Sequence, residues 1–250
     1  MKTDIIMGLP VDALSANDIL GELPSYLNDN KKMTLVSVNP QIVTEAEKYP
    51  EVVEFIRNST HRIPDGIGIV LVSKLTGGCI SKRLAGFDLM QKLLEYANSN
   101  EKSVFFYGAK PDILQEATKK IKDTFPKLRI VGTIDGYTDL SEEDIVEKIN
   151  RKAPDFLFVA LGFPRQEIFL ARNYKSLNVK VFQDVGGSLD VLSGRVKRAP
   201  RIFIDLHLEW LYRSVSNPRR LGRIIQLPVF LVKSIYWRFR NKNMRWTNGD

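Results

Sequence analysis

A few charged and amide side chains in this sequence have the chemistry for proton transfer or for binding charged groups. Asp65 lies in the segment Pro64-Asp65-Gly66, Arg83 follows it, and Gln166 and Glu167 stand together later in the chain. A partly desolvated carboxylate accepts a proton, and a guanidinium binds phosphate. Each also has a simpler interpretation. Pro-Asp-Gly is common in turns, Arg83 could be a solvated charge, and Glu suits the first turn of a helix.

The elements that position these residues are short apolar runs alternating with helical patterns. Because helical segments separate the runs, the pattern predicts a mostly parallel sheet with helices on both faces, a Rossmann-like α/β fold. The segment Ile67–Leu75 is apolar throughout, and its periodicity fits a helix or a strand. The predicted strands are Met33–Val38, Ser103–Tyr107, Arg129–Ile134, Phe156–Leu161 and Val179–Val185.

Small or polar residues stand at the ends of these predicted strands. In open α/β sheets, ligands bind beyond the carboxyl ends of the strands, and small residues there let a ligand approach backbone N–H groups. A glycine after a strand is more often only a turn, and an aromatic there can be a core or rim residue as well as a stacking partner for a base. The set predicts a nucleotide-type pocket near Asn39, Gly108, Gly136, Tyr137 and Gly186.

The common phosphate and metal motifs do not occur in the sequence. There is no P-loop, no Asp-x-Asp pair, and Gly66-Ile67-Gly68 lacks the third glycine of the dinucleotide fingerprint. A nucleotide-binding oxidoreductase, which would need that fingerprint, is therefore disfavoured. Two histidines and the single Cys79 form no metal motif, and one cysteine allows no intrachain disulfide. We expect chemistry without a metal or other cofactor.

Basic charge is concentrated at one end of the chain. Residues 195–250 hold 13 Lys and Arg against 3 Asp and Glu, whereas residues 1–194 hold 24 against 26. We therefore predict an α/β catalytic domain over residues 1–194 and a basic, amphipathic, helical appendage over residues 195–250. The apolar residues of the appendage follow one helical stripe, which is interrupted at Pro228. The stripe consists of Leu221, Ile225, Pro228, Val232, Ile235 and Phe239.

A basic amphipathic segment suits peripheral binding to an anionic membrane. The alternatives are packing of the stripe on the domain or on another subunit, and self-association when no membrane is present. A nucleic-acid-binding protein is a further alternative, but a continuous apolar stripe suits lipid better than bases. No apolar run reaches the ~20 residues of a membrane span, and none near the start resembles a signal peptide. We expect a cytoplasmic protein that contacts the inner face of the membrane.

Taken in order, ten segments of the chain resemble the WecG/TagA/CpsF family of bacterial glycosyltransferases. Any one of them is nonspecific, whereas the ordered set covers residues from about 5 to 225. The segments are Ser37–Pro40, Pro64–Gly66, Lys82–Gly86, Phe106–Gly108, Asp135–Tyr137, Gly162–Glu167, Asp184–Asp190, Gly194–Pro200, Leu208–Arg213 and Pro218–Arg220.

The resemblance implies an inverting transfer of N-acetylmannosamine from its UDP derivative to the 4-hydroxyl of undecaprenyl-diphosphate-linked GlcNAc. The chain is most similar to members that build the linkage unit of wall teichoic acid. A related transferase that uses another UDP-hexose, such as the N-acetylmannosaminuronic acid derivative, is the alternative. Nucleic acid is not an expected partner.

The resemblance also implies roles for individual residues. Asp65 matches the family's general base, and Asn39 and Gln166 match positions that orient the sugar or the acceptor. Arg83 is expected to meet a diphosphate. Tyr137 is the candidate for stacking on the uracil, and Asp190 is the candidate for a hydrogen bond to it. Ser37 is expected to offer its hydroxyl to the substrate. If the appendage docks over the pocket on the membrane, its arginines would reach the diphosphates and complete the site. Those arginines are Arg213, Arg220 and Arg223.

Overall fold

The computed structural model describes residues 1–29, 31–205, 209, 211–212 and 222–241, without the side chains of residues 201, 205 and 222–225. At its centre is a six-stranded sheet in the order β4-β3-β8-β7-β5-β6, and every neighbouring pair in it is parallel. Its strands are β3 (Met33–Val38), β4 (His61–Pro64), β5 (Ser103–Gly108), β6 (Arg129–Ile134), β7 (Phe156–Ala160) and β8 (Val181–Asp184).

Helices connect the strands and follow the last of them. Apolar residues recur on one face of each longer helix, and that face packs on the sheet. The helices are α1 (Ala16–Asn28), α2 (Pro40–Glu45), α3 (Pro50–Asn58), α4 (Ile67–Leu75), α5 (Gly86–Ser99), α6 (Pro111–Thr124), α7 (Glu142–Lys152), α8 (Arg165–Asn173), α9 (Ser188–Leu192), α10 (Arg201–Asp205) and α11 (Gly222–Arg240).

Both faces of the sheet are covered, as the sequence predicts. Successive side chains of a strand point to opposite faces, and neighbouring residues of β5 accordingly belong to two different cores. Phe105 belongs to the core that contains residues of α3, α4 and α8, whereas Phe106 belongs to the core that contains residues of α1, α5 and α6. Strands buried on both faces are apolar throughout, which explains the uninterrupted runs in the sequence.

The predicted strands are confirmed, with ends that differ by one or two residues. The segment Ile67–Leu75, left open between helix and strand, is the helix α4. It follows Gly66, whose φ of 107° turns the chain out of β4. The predicted cap at Asn39 is also present, because its side chain accepts a hydrogen bond from the Ile42 N–H at the start of α2.

Two features near the N-terminus have no counterpart in the sequence prediction. The strands β1 (Lys2–Ile6) and β2 (Leu9–Ala13) form an antiparallel hairpin whose two turn residues, Met7 and Gly8, both have positive φ. Such a turn usually carries Asn-Gly or Asp-Gly, and Met-Gly gives no such signal. The edge strand β4 is only four residues long and ends in Pro64, a residue that sheets tolerate at their edges.

The C-terminal helix α11 packs on α4 and α2, and its packing face differs from the predicted stripe. Phe230 and Ser234 are buried, and Leu227 and Leu231 are partly buried. Of the predicted stripe, Pro228, Val232 and Phe239 are exposed and Ile235 is partly buried, and the helix continues through Pro228. Leu221 and the side chain of Ile225 lie outside the described residues. The exposed apolar surface of α11, called here the outer stripe, consists of Val229, Val232, Tyr236 and Phe239.

Other described residues after Gly194 also contact the first part of the chain. Arg195 pairs with Glu116 at 2.9 Å, and Arg198 pairs with Asp88. Of the appendage arginines that the resemblance implied, Arg213 and Arg220 lie outside the described residues. The structure describes only the backbone of Arg223, within α11.

Candidate active site

A cavity of about 340 Å³ lies at the carboxyl ends of β4, β3, β8 and β7, where the fold predicts ligand binding. Of the candidates predicted from the sequence, Ser37, Asn39, Asp65, Arg83, Gln166, Glu167 and Gly186 line it. The remaining wall residues are Gln41, Ile42, Ala85, Gly86, Phe87, Gly162, Phe163, Asp184, Val185, Gly187, Ser188, Val191, Arg198 and Glu209.

Asp65 and Arg83 face each other in this cavity. The Asp65 N–H donates to the carbonyl of Val38 at 3.0 Å, which fixes the carboxylate beside the end of β3. Arg83 Nε donates to Asp65 Oδ1 at 3.3 Å. Burial raises the pKa of Asp65, and the positive charge of Arg83 opposes that shift. The side chain is still 26% exposed, so a ligand in the cavity can reach this carboxylate.

Glu209 belongs to the C-terminal part of the chain and forms an ion pair inside the cavity. Both terminal nitrogens of Arg83 donate to Glu209 Oε2 at 3.3 Å. Arg198 lies beside the same carboxylate, with its Nε 4.0 Å from Glu209 Oε1, and its guanidinium stacks on the ring of Phe87. The two arginines that line the cavity are therefore already paired with carboxylates before any ligand binds.

Position 86, at the start of α5, leaves little room for a side chain. A Cβ there would lie 3.1 Å from Ser37 Oγ and 3.8 Å from Asp65 Oδ2. The Ser37 hydroxyl and the Asp65 carboxylate thus border the same small space. The N-terminus of α5 also opens here, without a side-chain cap, and its partial positive charge favours an anionic group.

Gln166 organises the inner wall of the cavity. Its Oε1 accepts hydrogen bonds from the N–H groups of Gly162 and Gly186, at 3.1 and 3.0 Å. The amide orientation is therefore fixed, and Nε2 must be the donor. That nitrogen donates to Glu167 Oε1 at 2.8 Å and to Asp184 Oδ2 at 3.3 Å. Two carboxyl groups are consequently held against one amide nitrogen.

These two carboxyls are buried and have strongly perturbed acidity. Burial raises the pKa of Glu167 to about 7, although the hydrogen bond from Gln166 opposes the shift. Burial, and then the nearby charge of Glu167, raise the pKa of Asp184 well above its usual range. The other Asp184 oxygen, Oδ1, accepts the Ser37 N–H at 2.8 Å. Glu167 Oε2 is buried and has no hydrogen-bond partner among the described residues.

Gly108, Gly136 and Tyr137 do not line this cavity. They lie at the ends of β5 and β6, where the Gly136 N–H donates to the carbonyl of Ala109 and the Gly136 carbonyl accepts from Arg165. Tyr137 is 66% exposed, which excludes the interpretation as a core aromatic. Asp190, on α9, stands next to the cavity wall, since its Oδ2 would lie 3.7 Å from a Cβ on Gly187.

The sequence prediction missed three charged residues of the cavity. Asp184 ends an apolar strand, and its only sequence signal was its position before Gly186-Gly187. Arg198 and Glu209 were part of the predicted appendage, and nothing in the local sequence connects them to Arg83. Their proximity arises from tertiary contacts that periodicity cannot reveal.

No group of three or more His, Cys, Asp or Glu side chains that could hold a metal ion is found within the part of the chain that the structure describes. Over the same residues, no helix has the length and apolar character needed to cross a bilayer.

Comparisons with known proteins place the chain among bacterial transferases. The model of the family described as "Glycosyl transferase WecG/TagA/CpsF family" matches residues 5–244. A protein of Bacillus spizizenii is 41% identical over 83% of this chain and 80% of its own length. A protein of Bacillus subtilis is 38% identical over 92% and 90%, and one of Staphylococcus aureus is 31% identical over 93% and 91%. All three are named N-acetylglucosaminyldiphosphoundecaprenol N-acetyl-beta-D-mannosaminyltransferase.

Proposed function

This chain belongs to the WecG/TagA/CpsF family of glycosyl transferases, and on that premise we propose that it is an N-acetylmannosaminyltransferase. The donor is UDP-N-acetylmannosamine, and the acceptor is GlcNAc linked to undecaprenyl diphosphate. The product is the disaccharide lipid that begins the linkage unit of wall teichoic acid. Support comes from relatives of this name that align along most of their length.

The observation that carries the proposal is the pairing of Asp65 with Arg83 in a cavity at the carboxyl edge of the sheet. Asp65 accepts the proton of the acceptor hydroxyl as the hydroxyl oxygen attacks the anomeric carbon. The new C–O bond forms while the bond from the anomeric carbon to the UDP oxygen breaks. The electron pair of that bond leaves on UDP. Attack from the face opposite UDP inverts the configuration of the sugar.

The raised pKa of Asp65 suits this role. A general base works best when its pKa approaches the working pH, and burial moves Asp65 in that direction. Arg83 keeps the carboxylate oriented through its Nε. Its two terminal nitrogens carry the charge that a diphosphate needs, because a guanidinium binds two anionic oxygens at once.

The Glu209 carboxylate binds the two terminal nitrogens of Arg83, where an anionic group of a substrate could also bind. We infer that a substrate diphosphate exchanges with this carboxylate when it binds, since both are anions that accept hydrogen bonds from the same two nitrogens. This would place the leaving or the lipid diphosphate between Arg83 and Arg198. It also explains why a basic C-terminal segment contributes an acidic residue to the cavity.

The membrane side of the proposal rests on the outer stripe of α11. Its Val232, Tyr236 and Phe239 are each at least 65% exposed, and Lys233 and Arg240 beside them are exposed as well. An apolar strip flanked by basic residues fits the interface of an anionic bilayer. The acceptor is a lipid, so peripheral binding at the inner face of the cell membrane brings the cavity to its substrate. We also propose that the same stripe mediates self-association when lipid is absent.

The proposal is tested by comparing different donors and acceptors in the transfer reaction. The purified protein is given a lipid-diphosphate-GlcNAc analogue with UDP-N-acetylmannosamine, UDP-GlcNAc or UDP-glucose, and the disaccharide lipid is measured by mass spectrometry. We expect product from the mannosamine donor alone, and none when the acceptor lacks its GlcNAc. Transfer from a different donor with equal efficiency would overturn the assignment of the sugar and leave the fold unaffected.

A further inference from the structure

Two residues at the start of α5 hold the side chain of Arg198 at the cavity. The Arg198 Nη2 donates to Asp88 Oδ1, and the guanidinium lies over the ring of Phe87, 4.7 Å from its centroid. Phe87 and Arg198 line the cavity, whereas Asp88 does not. Arg198 lies between α9 and α10, in a segment that is neither helix nor strand. Since an arginine side chain has many rotamers, these two contacts restrict the direction of its guanidinium.

The carboxylate of Glu209 marks a place for an anion beside both arginines of the cavity. Its Oε2 is 3.3 Å from each terminal nitrogen of Arg83, and its Oε1 is 4.0 Å from Arg198 Nε. Charge-assisted hydrogen bonds are typically about 2.7–2.9 Å long, so this carboxylate bridges the two guanidiniums only loosely. Arg198 Nε is buried and has no hydrogen-bond partner among the described residues. A wider anion in the same place would bind both arginines.

We propose that Asp88 is a positioning residue for the transfer reaction, and that it holds the Arg198 guanidinium where this group binds the diphosphate that replaces Glu209. A diphosphate has oxygens on two phosphorus atoms, so it spans more distance than a carboxylate and reaches both arginines. Asp88 does not touch the substrate and acts only through Arg198. The inference rests on the proposed function, because the diphosphate belongs to a substrate of that reaction.

The ion pair with Asp88 leaves charge on Arg198 for the ligand. The Asp88 side chain is 42% exposed, so water screens its attraction to the guanidinium. A ligand enclosed between Arg83 and Arg198, which are 16% and 28% exposed, is screened less. Asp88 therefore orients the guanidinium more than it neutralises it, and its removal should weaken binding. Tighter binding without Asp88 would show that it only competes for the charge, and would overturn the inference.

The test uses the full-length protein and measures kcat, the KM of a lipid-diphosphate-GlcNAc analogue and the Kd of UDP by calorimetry. Arg198→Ala should weaken binding of the diphosphate about 10- to 100-fold, as expected for one lost hydrogen bond to a charged group. Asp88→Ala should weaken it about two- to tenfold, because an unrestrained side chain must then be ordered on binding. When Arg198→Ala is already present, adding Asp88→Ala should have no further effect.

The constant that changes identifies the substrate whose diphosphate binds here. If it is the lipid diphosphate, the KM of the acceptor rises and the Kd of UDP is unchanged. If it is the leaving diphosphate, the Kd of UDP rises and kcat falls as well, because negative charge develops there in the transition state. Either pattern supports the inference when the double variant loses no more than Arg198→Ala alone. Losses that add in the double variant would overturn it.

Glu116→Ala is the matched control, because it removes a similar ion pair from the same segment of the chain. Glu116 pairs with Arg195 and its side chain is 43% exposed, but neither residue lines the cavity. All three constants should equal those of wild type. An equal loss in Glu116→Ala and Asp88→Ala would mean that residues 195–200 have merely loosened, which contradicts a specific role of Asp88.

A second variant keeps the inference falsifiable if Asp88→Ala folds poorly, which the midpoint of urea denaturation reports. Asp88→Asn retains the shape of the side chain and an oxygen that accepts the hydrogen bond from Arg198, so it should restore most of the binding. A loss in Asp88→Asn as large as in Arg198→Ala would overturn positioning by this hydrogen bond.

The results separate failure of the inference from failure of the proposed function. If wild type forms the disaccharide lipid and the variants of Asp88 and Arg198 keep its constants, the inference is wrong and the function stands. If wild type forms no product from this donor and acceptor, the proposed function itself fails.

Discussion

The chemistry proposed for Asp65 depends on its immediate neighbours. Burial raises the pKa of this carboxylate. Arg83 forms an ion pair with it, and part of its surface stays open to the cavity. The space in front of it is kept open by the missing side chain of Gly86. The catalytic geometry therefore depends on a residue without functional groups as much as on the charged pair.

Gly86→Ala should reduce transfer far more than it reduces stability. The added methyl group would lie 3.1 Å from Ser37 Oγ, so the hydroxyl must move within the space where substrate binds. A misplacement of about 1 Å costs up to about 100-fold in rate, and the smaller shift expected here should cost a part of that. The free energy of unfolding should change by less than about 1 kcal/mol, because alanine is the better helix former. Steady-state kinetics and urea denaturation measure the two effects.

Gly21→Ala is the matched control for that variant. Gly21 lies in α1 with nothing within 4 Å of the added methyl, so this change should stabilise the protein by roughly 0.5–1 kcal/mol and leave activity intact. Equal activity of Gly86→Ala and wild type would show that the space beside Asp65 is not used by substrate.

At this scale the sequence predicts residues that belong to a local motif and misses the others. Asp65, Arg83 and Gln166 stand in recognisable segments, and the structure places them around one cavity. Asp184 and Glu209 carry no such signal. Their roles depend on which elements meet in space, and no spacing along the chain encodes the distance from Glu209 to Arg83.

At the scale of elements, α11 is attached directly to the helices that follow the site residues. It packs on α2, which begins after Asn39, and on α4, which begins after Asp65 and Gly66. The contact is close at Gly68, where a Cβ would lie 2.6 Å from Leu227 Cδ1 and 2.7 Å from Pro40 Cγ. The position of α11 is therefore coupled to the loops that hold the candidate base.

Gly68→Ala should loosen this packing. Overpacking typically costs about 1–3 kcal/mol, which outweighs the roughly 0.5–1 kcal/mol that alanine contributes to a helix. We expect a lower midpoint of urea denaturation together with reduced transfer to a lipid acceptor. The exposed change Leu75→Ala, at the other end of α4, is the control and should shift stability by no more than about 0.5 kcal/mol. Unchanged stability of Gly68→Ala would contradict the close contact.

Elements with a strong hydrophobic pattern can be predicted from the sequence. Features that depend on which elements pack together cannot. The buried parallel strands are apolar runs and were predicted close to their observed ends. The hairpin of β1 and β2 is formed by a turn of Met7 and Gly8, which sequence signals do not include. For α11, periodicity predicts an amphipathic helix, but packing on α4 decides that Phe230 rather than Val232 faces inward.

At the scale of the whole molecule, one face of α11 is attached to the protein and the opposite face is apolar and basic. Replacing Val232 and Phe239 together by serine should weaken binding to anionic vesicles by at least about tenfold, since each buried apolar side chain contributes about 1.5–3 kcal/mol. Co-sedimentation with phosphatidylglycerol vesicles measures this. The fold should be retained, because both side chains are more than 60% exposed.

Leu75→Ser is the control for vesicle binding, because Leu75 is an equally exposed apolar residue on α4. It should bind vesicles as wild type does. Added salt should weaken vesicle binding of wild type and of Leu75→Ser, since part of the attraction is between basic residues and lipid phosphates. If the double variant binds as tightly as wild type, the outer stripe does not contact the membrane.

The most direct measurement of the central claim is UDP release from UDP-N-acetylmannosamine, with a lipid-diphosphate-GlcNAc analogue, in EDTA. Wild type should release UDP, and Asp65→Asn should release it about 10²–10⁴-fold more slowly while still binding the donor. Asp123→Asn, an exposed change on α6, should behave as wild type. Equal release by wild type and Asp65→Asn would contradict the role of Asp65 as the base, and wild-type activity lost in EDTA would contradict a metal-free reaction.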